Sequence, residues 1–159
     1  MSAKSQQANM KAIHCLLQND LGYIYDGPRE SGPNGNKKIF LDKSAAFLRA
    51  LAKDLCFKEY KVSKNPAGIA VSGEVYLYGY WGNDSGLFFE INQPIQPMNA
   101  FLYRSTMGMK DHRGGRNLWL PMHIFADGDY EQLVEILMNL KDALVREIDL
   151  HFERLLRAA

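Results

Sequence analysis

The hydrophobic positions repeat with a helical period towards both ends of the chain and alternate in the middle. Near the N-terminus, apolar residues three and four apart predict helices at residues 6–21 and 43–56. In the last segment the same spacing predicts one long helix, capped by Asp127 or Asp129 and running almost to Ala159. Two helices are therefore expected before the central segment, and one long helix after it.

The central segment alternates between apolar and polar residues and is rich in aromatic and β-branched side chains. This pattern predicts a series of strands, at residues 58–63, 69–81, 87–92, 100–107 and 118–122. Turns are predicted at 65–68 and 82–86, and connections this short join antiparallel neighbours. The predicted fold class is α+β, a meander of four or five antiparallel strands with two N-terminal helices and a long C-terminal helix packed on it.

Residues 26–38 separate the two N-terminal helices and are predicted to form a loop. They contain dipeptides that fix or relax backbone angles in turns: Gly27-Pro28, Gly32-Pro33 and Asn34-Gly35. The same stretch lacks the G-x-x-x-x-G-K-[ST] spacing of a phosphate-binding loop, so we interpret it as a cluster of turns.

The composition is that of a globular protein without a strong overall field. Of 159 residues, 47% are hydrophobic and 23% charged, and the net charge is +1 at pH 7. This length fits a single domain over residues 1–159, and near neutrality argues against binding nucleic acid through overall charge. The polar N-terminus, and the lack of any run of about 20 apolar residues, argue against secretion and membrane insertion, so we expect a cytoplasmic protein.

Cys15 and Cys56 each lie in a helix-like apolar context and not in a paired spacing such as C-x-x-C. We predict buried free thiols, as is usual in a reducing cytoplasm. The histidines show no metalloprotease spacing, and no other cofactor motif is recognised in the sequence, so no cofactor is expected.

Three tyrosines are predicted to share one face of the second strand. Tyr76, Tyr78 and Tyr80 alternate with apolar residues, so both faces of this strand are aromatic or apolar. Two arrangements fit this pattern: helices cover both faces of the sheet, or the tyrosine-bearing face binds a ligand. Tyrosine suits binding because it combines a large rigid ring with a hydroxyl group, as in protein interfaces and base-stacking surfaces.

Residues 107–117, between the last two predicted strands, combine three glycines with charged side chains. Around this loop four positive charges outnumber one negative charge; the side chains are Arg104, Lys110, Asp111, Arg113 and Arg116. Glycine beside cations lets backbone N–H groups reach a phosphate oxygen, so the loop suits phosphates or an acidic partner. A solvated hairpin tip with internal salt bridges is the alternative.

Tyr103-Arg104 followed by Lys110-Asp111-x-x-Gly114-Gly115-x-Asn117 resembles stretches of small accessory proteins of bacterial plasmids and phages. The resemblance implies a mobile-element protein that engages DNA or blocks a host system by binding it. An enzymatic alternative uses Asp111-His112, Asn117 and His123, which follow the D-H…N…H order of a metal-dependent nuclease finger. These residues lie closer together than that ββα unit requires, so we expect no catalysis.

The last predicted helix carries a second apolar stripe beside its first; its members are Val134, Met138, Val145 and Leu156. One sheet would not cover both stripes, so the pattern indicates a partner, such as a second copy of the chain. Fraying of the final turns, with aliphatic side chains in solvent, is the alternative.

These observations lead to the hypothesis of a non-catalytic cytoplasmic binding protein that acts through the basic loop and an aromatic sheet surface. The predicted binding residues are Tyr76, Tyr78, Tyr80, Tyr103, Arg104, Lys110, Asp111, His112, Arg113, Arg116, Asn117 and Trp119. We expect a protein target, because a neutral net charge argues against strong dependence on phosphate contacts. Binding of DNA or RNA by the same residues is the alternative.

Overall fold

The structure is a computed structural model that describes residues 2–18, 36–66, 73–92, 100–109, 115–121, 123–126, 129–141 and 154–158. Its helices are α1 (Ala3–Gln18), α2 (Asn36–Asp54), α3 (His123–Ala126) and α4 (Tyr130–Met138). Its strands are β1 (Glu59–Asn65), β2 (Glu74–Gly82), β3 (Ser85–Asn92), β4 (Ala100–Thr106) and β5 (Leu118–Pro121). The predicted α+β class is confirmed.

The strands form one antiparallel sheet in the order β1-β2-β3-β4-β5, which confirms the predicted meander. A two-residue turn joins β2 to β3, and its central residues Asn83 and Asp84 have φ angles of 53° and 55°. Positive φ at both positions is the hairpin geometry that matches the twist of the flanking strands. The pairing then shifts by one residue between Tyr80 and Gly82, so that Tyr78 pairs with Phe88 and not with Phe89.

The helices cover one face of the sheet, and the centre of that core is aromatic. The rings that meet there belong to α2, β3, β4 and α3: Phe47, Phe89, Phe101 and Phe125. The ring centroids of Phe101 and Phe125 are 4.5 Å apart, and those of Phe47 and Phe125 are 5.7 Å apart. Large buried rings contribute much of the stability of a core, so the packing of Phe125 holds the short helix α3 against the sheet and α2. This helix was not predicted.

Helix α2 begins at Asn36 and not at residue 43, so the prediction of a loop is wrong for residues 36–38. The rest of that predicted loop lies outside the described residues. The helix starts early because Phe40 is fully buried by its packing and because Lys38 pairs with Asp42 one turn later. The early start of α2 could not be predicted from the hydrophobic periodicity, because turn-forming residues precede position 36 and the burial of Phe40 depends on tertiary packing.

Helix α4 has the predicted N-cap: the Asp129 side chain accepts a hydrogen bond from the Glu131 N–H at 3.1 Å. The predicted long C-terminal helix is wrong, because α4 spans Tyr130–Met138 and Asn139 is its C-cap. Residues 140–141 and 154–158 are also helical, and 142–153 lie outside the described residues. The apolar stripe could not reveal this end, because its spacing is the same in one long helix and in several short ones. Asn139 favours a helix end, because asparagine side chains compete for backbone hydrogen bonds.

Both thiols are exposed, which contradicts the prediction that they are buried. Cys56 follows the end of α2 with a φ angle of 55°, the left-handed conformation that commonly ends a helix. This reversal keeps Leu55 in the core while the Cys56 side chain faces solvent. Cys15 lies on α1 between two buried residues, His14 and Leu16, and adjacent residues of a helix point in different directions.

Asp42 of α2 binds two lysines: Lys38 of the same helix, and Lys64, which links the helix to the edge strand β1. The Nζ atoms of Lys38 and Lys64 lie 2.5 Å and 2.8 Å from its two carboxylate oxygens. The hydrogen bonds from Lys38 and then Lys64 lower the pKa of the Asp42 carboxyl from 3.8 to about 2. Because the pKa of Asp42 is lower in the folded protein, the link contributes its full stability at pH values above the ordinary pKa of 3.8. This stability is lost as the pH falls through the lowered pKa of about 2.

We expect Asp42→Asn to lower the free energy of unfolding by about 0.5 kcal/mol at neutral pH and low salt, because exposed ion pairs contribute little. The Asp42 side chain is 42% exposed, so salt should weaken the effect. Urea denaturation at neutral pH and below about pH 3 measures it, with the loss shrinking at the lower pH. An equal loss at both pH values would contradict the assignment.

Candidate functional site

The face of the sheet opposite the helices carries most of the predicted tyrosines. Directly paired residues share a face, so the register of the strands assigns its members. The part of this surface that we call the tyrosine face consists of Glu59, Lys61, Ser63, Glu74, Tyr76, Tyr78, Tyr80, Phe88, Glu90, Leu102, Arg104 and Trp119. The core lies on the other side, where Leu77 and Phe89 are fully buried. Helices α1, α2, α3 and α4 all contribute to that core.

Phe88 is the centre of the tyrosine face. The ring centroids of Tyr78 and Tyr76 lie 4.9 Å and 5.8 Å from the Phe88 centroid, and the Arg104 guanidinium carbon lies 4.8 Å from it. Phe88 is only 5% exposed, although the register places it on the face opposite the core. The cluster is thus a pre-packed aromatic layer with a cation–π contact, and its tyrosine edges are half-buried.

Trp119 extends the aromatic layer to the edge strand β5. It pairs with Leu102, which in turn pairs with Glu90 of β3, and Glu90 pairs with Tyr76 of β2. The Trp119 side chain is 48% exposed, among the largest apolar surfaces in the described part of the chain. Exposed tryptophan is unusual on a surface that has no partner, and tryptophan is enriched at the centres of interfaces.

The structure describes the two ends of the basic loop and not its middle. Arg116 and Asn117 are exposed, and the Asn117 Oδ1 atom accepts a hydrogen bond from the Arg104 Nη1 atom at 3.4 Å. The other predicted loop residues, Lys110, Asp111, His112 and Arg113, lie outside the described residues. The loop and the tyrosine face therefore meet at Arg104, as far as the described residues extend.

Tyr103 does not lie on the tyrosine face, although its neighbour Arg104 does. Tyr103 pairs with Phe89, and their ring centroids are 6.5 Å apart on the helix-covered side. Burial there raises the pKa of the Tyr103 hydroxyl. The predicted pair Tyr103 and Arg104 is thus divided between the two faces, because successive strand residues point in opposite directions.

Carboxylates were missed by the sequence analysis and lie among the tyrosines. The Tyr76 hydroxyl donates a hydrogen bond to Glu74, and the Asn92 side-chain amide donates one to Glu90. Burial raises the pKa of Glu90, and the nearby Glu74 carboxylate raises it further. The face holds three carboxylates and two cations, at Glu59, Glu74, Glu90, Lys61 and Arg104. Its described part is therefore slightly acidic, in contrast to the predicted basic loop.

Phe88 and Glu90 could not be assigned to the site from sequence signals alone. Alternation places both on the same side of β3, but a two-residue turn at Asn83-Asp84 would by itself put Phe89 opposite Tyr78. An irregularity between Tyr80 and Gly82 shifts the pairing by one residue and brings Phe88 opposite Tyr78. The predicted turn over residues 82–86 did not reveal this shift, without which both side chains would lie on the face opposite the tyrosines.

We expect Glu90→Gln to increase the free energy of unfolding at neutral pH. A raised folded-state pKa means that the folded protein favours the protonated carboxyl, so stability falls as the pH rises through that pKa. The charged groups near Glu90 are Glu74 on β2 and Arg104 on β4, with the Tyr78 hydroxyl beside them. Glutamine keeps the amide contact with Asn92 and removes the charge.

Urea denaturation of the wild-type protein and Glu90→Gln between neutral pH and the ordinary glutamate pKa of 4.5 measures this difference. The gain from Glu90→Gln should shrink as the pH falls. Glu59→Gln is the matched control, because Glu59 is an exposed carboxylate of the same face. A pH-independent difference for Glu90→Gln would argue against the desolvated carboxylate.

Other kinds of site have less support in the described part of the chain. No group of three His, Cys, Asp or Glu side chains there is placed to hold a metal ion. The nuclease-like order depends on Asp111 and His112, which lie outside the described residues. A cleft of about 300 Å³ between α1 and α4 is lined by Ala3, Lys4, Gln7, Asp129 and Glu131. It lies in the helical layer, away from the tyrosine face, and is wide open.

No described helix is both long and apolar enough to cross a lipid bilayer. Comparison of the chain with family models, with curated proteins and with solved structures finds no match in any of the three. The tyrosine face and its charges are the features of the described residues that bear on function.

Proposed function

We propose that this protein is a non-catalytic cytoplasmic binding protein whose contact surface is the tyrosine face, extended by the loop at residues 107–117. The observation that carries the proposal is the aromatic layer around Phe88, with Trp119 48% exposed at its edge, on the side of the sheet away from α1, α2, α3 and α4. Aromatic residues are enriched at interfaces because they bury large area with little loss of conformational freedom.

A protein partner fits the tyrosine face better than DNA or RNA does. Its three carboxylates and two cations offer little attraction to a phosphate backbone. Phe88 is 5% exposed, so its ring is not presented for stacking with a base. The half-buried tyrosine edges, with hydroxyl groups at their ends, suit the mixed apolar and polar contacts of a protein interface.

We further propose a role as an accessory protein or inhibitor of a host system, encoded by a mobile genetic element. This part rests on the resemblance of residues 103–117 to stretches of plasmid and phage proteins. The hydrogen bond of 3.4 Å between Arg104 and Asn117 supports one functional unit, because it joins the two ends of that stretch.

Affinity capture from a bacterial lysate tests the proposed function. The wild-type chain should retain a discrete protein, and Tyr76→Ala or Trp119→Ala should weaken the retention by about tenfold each, as expected for aromatic anchors. Tyr60→Ala is the matched control: Tyr60 is 37% exposed but shares the helix side of the sheet with Gly79. Its capture should equal that of the wild-type chain.

Two results would contradict the proposal. The first is a captured protein that the tyrosine-face variants retain as well as the Tyr60→Ala control does. The second is retained material that is removed by nuclease and by moderate salt, with Arg116→Ala reducing the dependence on salt, since this is the behaviour of phosphate contacts.

Self-association through the C-terminal end is also proposed. Leu155 and Leu156 are 53% and 77% exposed in the helical stretch 154–158, and Met138 of α4 is half-buried. Light scattering should give a dimer mass for the wild-type chain and a monomer mass for the double variant Leu155→Lys, Leu156→Lys. A monomer mass for both proteins would contradict self-association.

A further inference from the structure

Glu90 has an unusual position for a surface carboxylate. It lies in a row across the sheet that runs from Tyr76 through Glu90 and Leu102 to Trp119. Its carboxylate accepts a hydrogen bond from the neutral Asn92 amide, and it forms no salt bridge with a described lysine or arginine. A carboxylate partly withdrawn from water in apolar surroundings is costly unless a cation reaches it.

Arg104, the nearest cation on the face, is directed elsewhere. Its guanidinium carbon lies 4.8 Å from the Phe88 ring centroid, and its Nη1 atom donates to Asn117 at 3.4 Å. In register Arg104 pairs with Phe88, one row away from Glu90. Its attraction lowers the pKa of Glu90 less than burial and Glu74 raise it. The charge of Glu90 is therefore left for a group from outside the described part of the chain.

We infer that the partner of the tyrosine face is a protein segment that presents a lysine or arginine side chain to Glu90, within the row formed with Tyr76 and Trp119. The inference rests on the proposed function and names the chemistry of the partner. Charge complementarity supports it, because three of the five charged groups on the face are carboxylates. The aromatic neighbours of Glu90 also favour a basic partner residue, because tyrosine and tryptophan rings attract cations.

The segment must also bring apolar groups. Leu102 separates Glu90 from Trp119, and the half-buried tyrosine edges lie on the other side of the carboxylate. A basic residue with aliphatic or aromatic neighbours would cover this surface and shield the ion pair from water. Shielding strengthens the attraction between the two charges. Phosphates and acidic peptides would meet the repulsion of Glu74 and Glu90.

Selection from a random library of displayed 12-residue peptides on the immobilised full chain tests the inference. Peptides enriched on the wild-type chain should contain lysine or arginine flanked by apolar residues. The same selection on Glu90→Gln should lose the enrichment in basic residues, while Glu135→Gln, at an exposed carboxylate of α4 outside the tyrosine face, should keep it. The affinity of a selected basic peptide should fall about tenfold on Glu90→Gln, as expected when one partner of a shielded ion pair is removed.

The failures of the two proposals are distinguishable. Peptides that are lost on Tyr76→Ala but show no basic enrichment, or that bind Glu90→Gln as tightly as the wild-type chain, overturn the inference and leave the proposed function standing. Enriched peptides that bind Tyr76→Ala and Trp119→Ala unchanged overturn both. If no peptide is enriched, the inference is overturned, and the lysate capture decides the proposed function independently.

Discussion

Phe125→Ala is expected to lower the free energy of unfolding by about 3 to 5 kcal/mol, the usual cost of deleting a fully buried phenylalanine ring. Phe125 has no exposed surface, and its ring centroid lies 4.5 Å from that of Phe101, 5.7 Å from that of Phe47 and 6.5 Å from that of Phe89. The variant leaves a cavity at the junction of α2, α3 and the sheet. Domains of this size have a total stability of about 5 to 15 kcal/mol, so much of it would be lost.

Urea denaturation followed by circular dichroism measures this loss, and Trp119→Ala is the control. Trp119 is a larger aromatic residue, but it is 48% exposed, so its removal should cost less than about 1 kcal/mol. Equal losses for the two variants would show that Phe125 does not occupy the core assigned to it. A result of that kind would also remove the reason for placing α3 on the sheet.

Gly79→Ala is expected to lower the free energy of unfolding by about 1 to 3 kcal/mol, because it overfills a packed site. A Cβ atom at position 79 would lie 2.2 to 2.4 Å from three ring carbons of Phe57. The Phe57 ring is held by Trp81, with centroids 4.6 Å apart, and the Trp81 indole N–H donates to the Leu55 carbonyl at 2.7 Å. The Phe57 ring can move away from position 79 only by losing its contact with Trp81.

A double-mutant cycle with Phe57→Ala tests the cause. Once the ring is absent, Gly79→Ala should cost nothing or stabilise the strand, because alanine restricts the unfolded chain more than glycine does. Urea denaturation of the four proteins gives the interaction energy. A cost of Gly79→Ala that stays the same in both backgrounds would contradict the proposed clash.

The sheet was predictable because two local signals agreed. Alternation of apolar residues marked the strands, and turn residues at Gly82 to Gly86 marked the tightest connection, so order and antiparallel pairing followed. The helices were less predictable because their ends depend on tertiary contacts. The buried Phe40 extends α2 backwards to Asn36, and the stripe after Asp129 could not show that α4 ends at Met138.

Part of the geometry of the tyrosine face was predictable. Alternation correctly put Tyr76, Tyr78 and Tyr80 on one face, but it could not say that Tyr103 turns to the helices. Glu90 was overlooked because a single glutamate in an apolar strand carries no motif, and its role depends on which strands lie beside it. The predicted residues from Lys110 to Arg113 remain a prediction, since they lie outside the described residues.

Hydroxyl-radical footprinting of the full chain, read by mass spectrometry, tests whether the tyrosine face lies in water and is available to a partner. Tyr130 is the matched reference, because it is 3% exposed in the helical layer. We predict that Tyr76, Tyr78 and Trp119 are oxidised several-fold faster than Tyr130 in the free protein. Oxidation of these residues as slow as that of Tyr130 would show that the face is covered and would contradict the account.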